Sequence, residues 1–199
     1  MVTRMNLVAL QPRPAKASDW KASAGFTLIE LLTVMTIVAI LFALGIPSFQ
    51  YVTNSNRISG EVNGLLGDLQ YARSEAIKEG QTVTVCTSAN STTAAPTCSG
   101  SSSWQNGWIV FSDPNSNATV DAGESILRAR RAFSVGDTFT AAPGTSAVTF
   151  NREGFALGIN ATVTVTLHAA VPNASSTRCL AITIVGQLTS EGTGTGACT

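Results

Sequence analysis

The amino-acid sequence predicts an α+β fold in which a long N-terminal α-helix packs on an antiparallel β-sheet or β-sandwich head. Three features support this: an apolar run near the N-terminus, an amphipathic helical pattern after it, and short β-prone runs beyond Gly80. The chain has 199 residues, enough for one globular domain and an appended segment. We expect three parts, residues 1–25, 26–80 and 81–199.

The apolar run occupies residues 26–46 and reads FTLIELLTVMTIVAILFALGI, with Glu30 as its single charge. At about 1.5 Å rise per residue, a helix of this length approaches the ~30 Å thickness of a bilayer core. We therefore expect the first half of the helix to span a membrane. A secretory signal has its cleavage site after the apolar run. Here the basic segment ending in Ala24 and Gly25 comes first, so cleavage at Gly25 would leave the apolar run on the mature chain.

Helical periodicity continues over residues 48–79. Apolar side chains recur at the spacing of one helix face: Ile58, Val62, Leu65, Leu66, Leu69, Ala72, Ala76 and Ile77. The charged side chains are expected mostly on other faces: Arg57, Glu61, Asp68, Arg73, Glu75 and Lys78. Pro47 is expected to end or kink the first half because proline has no N–H to donate. Gly80 is a natural C-terminal stop.

Short β-prone runs fill the rest of the chain, and turn-rich segments separate them. The predicted strands are Thr82–Cys86, Gly107–Phe111, Ser125–Arg131, Val148–Phe150, Thr162–His168 and Cys179–Val185. The predicted loops are Thr87–Ser103, Asp113–Gly123, Val135–Ser146 and Val171–Thr177.

The chain has four cysteines and one histidine, His168. A structural zinc site would need closely spaced cysteines or nearby histidines, so two disulfides in an oxidising compartment fit the spacing better. Four cysteines allow three connectivities, and the sequence alone does not choose among them. We favour Cys86–Cys98 and Cys179–Cys198 because each pair closes a short loop.

Charge is distributed unevenly. Four of the 12 basic residues and one of the 12 acidic residues precede Phe26, so the remainder has a net charge of −3. An acidic body is a poor electrostatic partner for a nucleic-acid backbone.

The sequence around Gly25-Phe26-Thr27-Leu28-Ile29-Glu30, with its basic leader and long apolar helix, resembles the class III signal of type IV prepilins and type II secretion pseudopilins. The resemblance implies a type IV pilin-like fold. It also implies that a membrane prepilin peptidase cleaves between Gly25 and Phe26, and that the new N-terminal Phe26 is N-methylated.

Glu30 has a physical role consistent with this resemblance. A carboxylate in hydrocarbon costs a few kcal/mol unless a positive charge compensates it. After cleavage, the N-terminal ammonium of the same chain or of a neighbouring subunit is the nearest candidate. Pairing with a neighbour would also set the axial register between subunits. The alternative is that Glu30 lies at the membrane interface and faces water.

The head has its own resemblance. The stretch GWIVFSDPNSNATVDAGESILRARR, residues 107–131, and VTFNREGFA, residues 148–156, resemble the head motifs of the GspH/FimT family of minor pilins and pseudopilins. We interpret the residues after Gly107 as strand residues, some of them in the core, and Gly107 itself as a turn.

Two groups of residues have both a functional and a plainer interpretation. Asp113, Asn115, Asn117, Thr119, Asp121 and Glu124 follow the ligand spacing of an EF-hand calcium loop. Ala118 stands where that loop needs glycine, so a solvated loop between strands is the expectation. Arg128, Arg130 and Arg131 are interpreted as a solvated strand edge, with the first two on one face.

The sequence contains no grouping typical of an enzyme, and His168 is expected to be an ordinary strand residue. Some family members that take up DNA are held to bind it through a Gly-Arg-x-Arg motif. The comparable stretch here reads Gly186-Gln187-Leu188-Thr189. We therefore expect no nucleic-acid partner, although a DNA-binding pilin of natural transformation stays an alternative.

The sequence thus predicts a structural subunit and not an enzyme, with no cofactor and no metal. We expect a minor pilin that primes or caps a type IV pilus, anchored in the bacterial inner membrane with its head in the periplasm. Its expected partners are prepilin peptidase, other minor and major pilins, and the inner-membrane assembly platform. The alternative within the same fold is a type II secretion pseudopilin that serves protein export.

Overall fold

The computed structural model describes residues 25–133, 136–142, 144–170, 177–193 and 198. Most of the expected leader and most of the predicted loop Val171–Thr177 lie outside these residues. The chain divides into two units, residues 1–44 and residues 45–199. Helix α1, Leu28–Glu79, begins in the first unit and ends in the second. Within the described residues, nine strands follow it, all in the second unit.

In the first unit, every described side chain from Gly25 to Leu44 is exposed. The large apolar side chains are among them, with Phe26 82% and Leu44 71% exposed. Helix α1 continues past position 47, so Pro47 does not end the first half, which was one of the two alternatives expected for it, and a single long helix is present as predicted. A proline removes a single backbone hydrogen bond, and the helix-forming sequence on both sides continues the helix past it.

The second unit contains two antiparallel sheets. The strands are β1 Val83–Thr87, β2 Gly107–Ser112, β3 Ile126–Arg131, β4 Thr138–Ala142, β5 Ala147–Phe150, β6 Ala156–Leu157, β7 Val163–His168, β8 Arg178–Ile182 and β9 Leu188–Gly192. Five of them form one sheet in the order β3-β2-β1-β5-β6, and four form the other in the order β4-β7-β8-β9. The predicted α+β class, a long helix packed on antiparallel sheets, is confirmed.

The main core lies between helix α1 and both sheets. Ile58, Val62, Leu65, Leu69, Ala72 and Ala76 are at most 1% exposed and form the helix face of this core. The sheets contribute large side chains, including Trp108 and Phe150 from the first sheet and Phe139 and Leu180 from the second. Burying each large apolar side chain contributes roughly 1.5–3 kcal/mol, so this face holds the helix to the head.

Two helix residues depart from the predicted pattern. Ile77 was assigned to the apolar face but is 51% exposed. Asp68 was placed with the solvated charges, yet it is 3% exposed on the buried face. Ile77 lies in the last turn beside the buried Ala76 but points away from the core, and Asp68 is buried because the first sheet supplies donors to it.

Three strands were missed. Strand β4 lies inside the predicted loop Val135–Ser146, whose Pro143 and Gly144 suggest a turn. Only Phe139 and Ala141 of β4 are buried, which is a weak alternating signal. Strand β6 has two residues, and β9 consists of LTSEG, which has little β-propensity. Gly107, which was predicted both as the start of a strand and as a turn residue, is the first residue of β2 and has a positive φ of 101° directly after the short 3-10 turn Trp104–Asn106.

Candidate functional site

The start of helix α1 carries the residues for which the sequence predicts processing and assembly. Gly25, Phe26 and Thr27 precede the helix in irregular backbone. The carbonyl oxygen of Thr27 accepts the first helical hydrogen bond, from the N–H of Leu31 at 3.1 Å. The bond between Gly25 and Phe26 therefore lies just outside the regular helix, and both residues are exposed.

Glu30 has a local role that the sequence analysis missed. Its backbone N–H donates to Thr27 Oγ1 at 3.3 Å, which makes Thr27 the N-terminal cap and Glu30 the third helical residue. Thr-x-x-Glu is the capping-box pattern, so the sequence itself indicated that the helix begins after Thr27. An acidic side chain in the first turn also interacts favourably with the helix dipole. Glu30 is exposed in the described chain.

Helix α1 is the one helix among the described residues that is long and apolar enough to cross a membrane by length and composition. The side chains in its most apolar window are not buried inside the protein. A continuous exposed apolar surface of this size marks a surface that contacts lipid or other proteins.

Within the head, Asp68 collects donors from the first sheet. Its Oδ2 accepts the indole N–H of Trp108 at 3.0 Å, and its Oδ1 accepts Arg128 Nη1 at 3.0 Å. Arg130 Nη2 lies 3.2 Å from Oδ2. The Arg128 guanidinium also stacks over the Tyr71 ring, 3.6 Å from its centroid. The cluster thus joins the middle of helix α1 to β2 and β3.

This geometry corrects the interpretation of the three arginines as a plain solvated edge. Strand β3 is an edge strand, and Arg128 and Arg130 do share a face. Their side chains are 45% and 49% exposed, but both are tied to Asp68. The local signal for this pairing is absent from the sequence because the partners lie 60 and 62 residues apart.

The Asp113–Glu124 segment is a hydrogen-bonded loop between β2 and β3. The buried Asp113 carboxylate accepts the N–H groups of Asn117 and Ala118 and the hydroxyl of Thr84. Side-chain hydrogen bonds from Asn115 and Asn117 lower the pKa of Asp121. Backbone and side-chain donors of the loop itself therefore occupy the oxygens that a cation would need. Among the described residues, no group of three or more acidic, histidine or cysteine side chains could hold a metal ion.

Both cysteine pairs form disulfides in the structure, Cys86–Cys98 with a Cα–Cα distance of 5.6 Å and Cys179–Cys198 with one of 5.4 Å. The first joins β1 to the long loop after it. The second joins β8 to the C-terminal residues. These are the pairs that close short loops.

The remaining candidate residues are distributed over the second sheet. His168 is exposed at the end of β7, and its Nδ1 lies 3.4 Å from the hydroxyl of Thr177. Gly186 and Gln187 form the turn into β9, and neither they nor the next two residues carry a basic side chain. Arg73 of helix α1 reaches this turn and donates to the carbonyl oxygen of Gly186 at 2.8 Å.

Comparison with known proteins gives two family matches and several relatives. Residues 20–46 match the family described as a prokaryotic N-terminal methylation motif, and residues 61–187 match the family described as type II transport protein GspH. A fimbrial protein of Pseudomonas aeruginosa is 40% identical over 63 residues, which is 32% of this chain and 40% of the relative. The type II secretion system protein H of P. aeruginosa PAO1 is 37% identical over 57 residues, 29% of this chain and 33% of the relative.

The chain thus spans about two-fifths and one-third of the length of these two relatives. Among solved structures, the type IV minor pilin FimU of P. aeruginosa PAO1 has the same fold, with a TM-score of 0.54 and 18% identity over 70% of this chain and 92% of FimU. The methylation motif is followed by a helix that packs on two antiparallel sheets, and the GspH match covers most of the head. The chain therefore belongs to the GspH family, a family of minor pilins and pseudopilins.

Proposed function

We propose that this chain is a minor pilin that primes or caps assembly of a type IV pilus. The observation that carries the proposal is the start of helix α1: the exposed apolar run of residues 26–46 has Glu30 as its single charge, and its helix begins at Leu28. Residues 26–46 hold the chain in the bacterial inner membrane, and the head lies in the periplasm. An assembling filament then draws the apolar helix from lipid into contact with other subunits.

Processing is the first step of the proposed function. Prepilin peptidase cuts between Gly25 and Phe26, and Phe26 is then N-methylated. The match of residues 20–46 to the methylation motif supports this step. The exposed backbone at residues 25–27 supports it as well, because the bond between Gly25 and Phe26 lies outside the regular helix and is accessible.

Assembly is the second step. The N-terminal ammonium of a neighbouring pilin compensates the Glu30 carboxylate, and this ion pair sets the axial position of one subunit relative to the next. The partners in this step are other minor and major pilins and the inner-membrane assembly platform. The match to a fimbrial protein and the fold shared with FimU support a place in a pilus.

Deletion of the gene in its own bacterium tests this function. We expect the number of surface pili to fall sharply and secretion of exoproteins to continue at the normal level. Complementation with the intact chain should restore piliation. Normal piliation in the deletion strain would contradict the proposal.

A pseudopilin of type II secretion is the second candidate function. It is favoured by the description of the matched family and by the relative named type II secretion system protein H. In that case the same deletion abolishes exoprotein secretion and leaves surface pili intact. Neighbouring genes provide a second criterion, since minor pilin genes accompany one function and a secretion operon the other.

A further inference from the structure

A second charged cluster joins helix α1 to the segment before β4. Arg57 Nε and Nη2 donate to Asp137 Oδ2 and Oδ1, each at 2.9 Å. Asp137 is 3% exposed, and its Oδ1 also accepts the N–H of Ala170 at 2.7 Å. Arg57 Nη1 is directed at Asn54 Oδ1, 3.3 Å away. Both carboxylate oxygens of Asp137 are therefore satisfied, and the Arg57 fork is fully committed.

Glu61 lies one helical turn after Arg57, beside the same Asp137. Its Oε2 is buried and has no hydrogen-bond partner among the described residues. The cluster thus contains two carboxylates, Glu61 and Asp137, and one guanidinium that is already bonded to Asp137. An ionised Glu61 would leave an uncompensated negative charge beside a buried one, which is strongly unfavourable. A proton on Glu61 would remove that charge and provide a donor towards Asp137.

The surroundings of Glu61 allow this proton to exchange with solvent. Glu61 lines an open groove of about 400 Å³, between helix α1 and the end of β3. The other charged side chains along this groove are Arg57, Arg130 and Arg131. Arg57 is held by Asp137, and Arg130 by Asp68. Arg131 is exposed and is the cation that would have to move towards Glu61 to replace the proton.

We propose that the Glu61 carboxyl binds a proton in the folded chain, and that this proton makes the contact between helix α1 and the segment before β4 stronger in acid than at neutral pH. Glu61 and Asp137 then attract each other when the two carboxyl groups together carry one negative charge. When the two groups carry two negative charges, they repel each other beside the ion pair between Arg57 and Asp137.

The electrostatics agree with the geometry. Burial, and secondarily the charge of Asp137, raise the pKa of Glu61 from 4.5 to about 7, although Arg57 acts in the opposite direction. A raised carboxyl pKa means that the folded chain binds a proton more tightly than the unfolded chain does. The resulting stabilisation is fully present below pH 4.5 and is lost as the pH rises through about 7.

A titration of the full-length chain in detergent micelles, labelled with ¹³C at the glutamate carboxyls, tests the proposal. We expect one resonance with a midpoint near pH 7 that is lost in Glu61→Gln and retained in Glu153→Gln, a matched change at an exposed acid. A Glu61 midpoint near 4.5 overturns the proposal. Arg131→Gln should leave the midpoint of Glu61 near pH 7. If Glu61 instead titrates near pH 4.5 in the intact chain and near pH 7 only in Arg131→Gln, then Arg131 replaces the proton and the proposal is overturned.

Thermal unfolding of the same samples gives an independent readout. Between pH 5 and pH 8, the midpoint of the intact chain should fall by about 5 °C more than that of Glu61→Gln. Equal pH dependence in the two chains would contradict the proposal. Because glutamine is close in size to a neutral glutamic acid, Glu61→Gln is expected to fold as the intact chain does in acid.

Discussion

Asp68 is a charged side chain that the head keeps inside its core. It accepts hydrogen bonds from Trp108, Arg128 and Arg130, so the donors of two neighbouring strands meet at a single helical position. The indole N–H of Trp108 is itself buried and needs an acceptor, which an aliphatic residue at position 68 would not provide. The apolar stripe of the helix is therefore interrupted by an acid for a structural reason.

Replacing Asp68 by alanine should lower the free energy of unfolding by about 2–3 kcal/mol, because it leaves the Trp108 N–H unpaired and two arginines without their counter-charge. Urea unfolding of the chain in detergent, followed by tryptophan fluorescence, measures the change. Glu153→Ala is the matched control, since Glu153 pairs only with the adjacent Arg152 at the surface. An Asp68→Ala chain as stable as the control would contradict this account of the cluster.

The Glu30 side chain combines two features: it stands at the third helical position, where a glutamate can accept the Thr27 N–H, and it carries a charge. Glutamine can fill the same position of a capping box, but it cannot neutralise an ammonium. We therefore predict that Glu30→Gln inserts into the membrane and is cleaved, yet enters filaments at least tenfold less than the intact chain. Quantitative immunoblots of membrane and sheared-filament fractions measure both steps.

Glu30→Ala, which removes both features, provides the comparison. If Glu30→Gln assembles normally while Glu30→Ala does not, the capping role is sufficient and the charge is not used. Equal loss in both variants supports the pairing of the carboxylate with an N-terminal ammonium.

At the scale of structural elements, two turns meet under Arg73. Gly154, between β5 and β6, and Gly186, between β8 and β9, both have positive φ angles, of 83° and 73°. A Cβ atom on Gly186 would overlap the carbonyl oxygen of Gly154 and would lie 3.1 Å from Arg73 Nε. The absence of a side chain at Gly186 is what lets the two sheets approach each other beside the helix.

Gly186→Ala should therefore destabilise the head by about 3 kcal/mol or more, since it combines a strained backbone with a steric overlap. Gly158 is the matched control: its φ is 75°, but a Cβ there would meet no atom within 4 Å. Gly158→Ala should lose only about 1 kcal/mol of stability, from the strain of an alanine at a positive φ. Urea unfolding of both variants makes the comparison, and equal losses would show that the close approach at Gly186 is not important.

The Cys86–Cys98 disulfide fixes the long loop that follows β1. Cys86 is buried with Ile109 and Phe111 on the sheet face away from helix α1, in a cluster too small to hold a loop by itself. Closing a loop of this length contributes about 2–3 kcal/mol in the chain-entropy description. We predict that Cys86→Ala with Cys98→Ala loses that amount in urea unfolding, and that a reducing agent lowers the stability of this variant less than that of the intact chain.

Local sequence signals predicted the elements that have a strong hydrophobic periodicity. They failed where contacts between distant residues determine which element forms or which residues pair. The helix face from Ile58 to Ala76 and the alternation of β7 were readable, because burial on one side repeats at a fixed spacing. Strand β9 was not readable, since its polar residues are held in the sheet by β8. Asp68 and Asp137 bind side-chain donors that lie 40 to 80 positions away, so the sequence offered no local signal for either cluster.

At the scale of the whole molecule, the chain combines an exposed apolar helix with a disulfide-bonded head. Disulfides form outside the reducing cytoplasm, and the apolar helix requires lipid or the helices of other subunits around it. The methylation motif at residues 20–46 and the GspH match over the head are consistent with both requirements, an oxidising compartment for the head and an apolar environment for the helix. A membrane-anchored pilin with an exposed head satisfies both.

Mass spectrometry of the chain in filaments sheared from its own bacterium tests the central claim most directly. We predict a chain that begins at an N-methylated Phe26, carries two disulfides and is present at a small fraction of the amount of the major subunit. Substitution of Gly25 by valine should leave residues 1–25 attached and keep the chain in the membrane. An uncleaved chain inside filaments, or its absence from the filaments of fully piliated cells, would contradict the account.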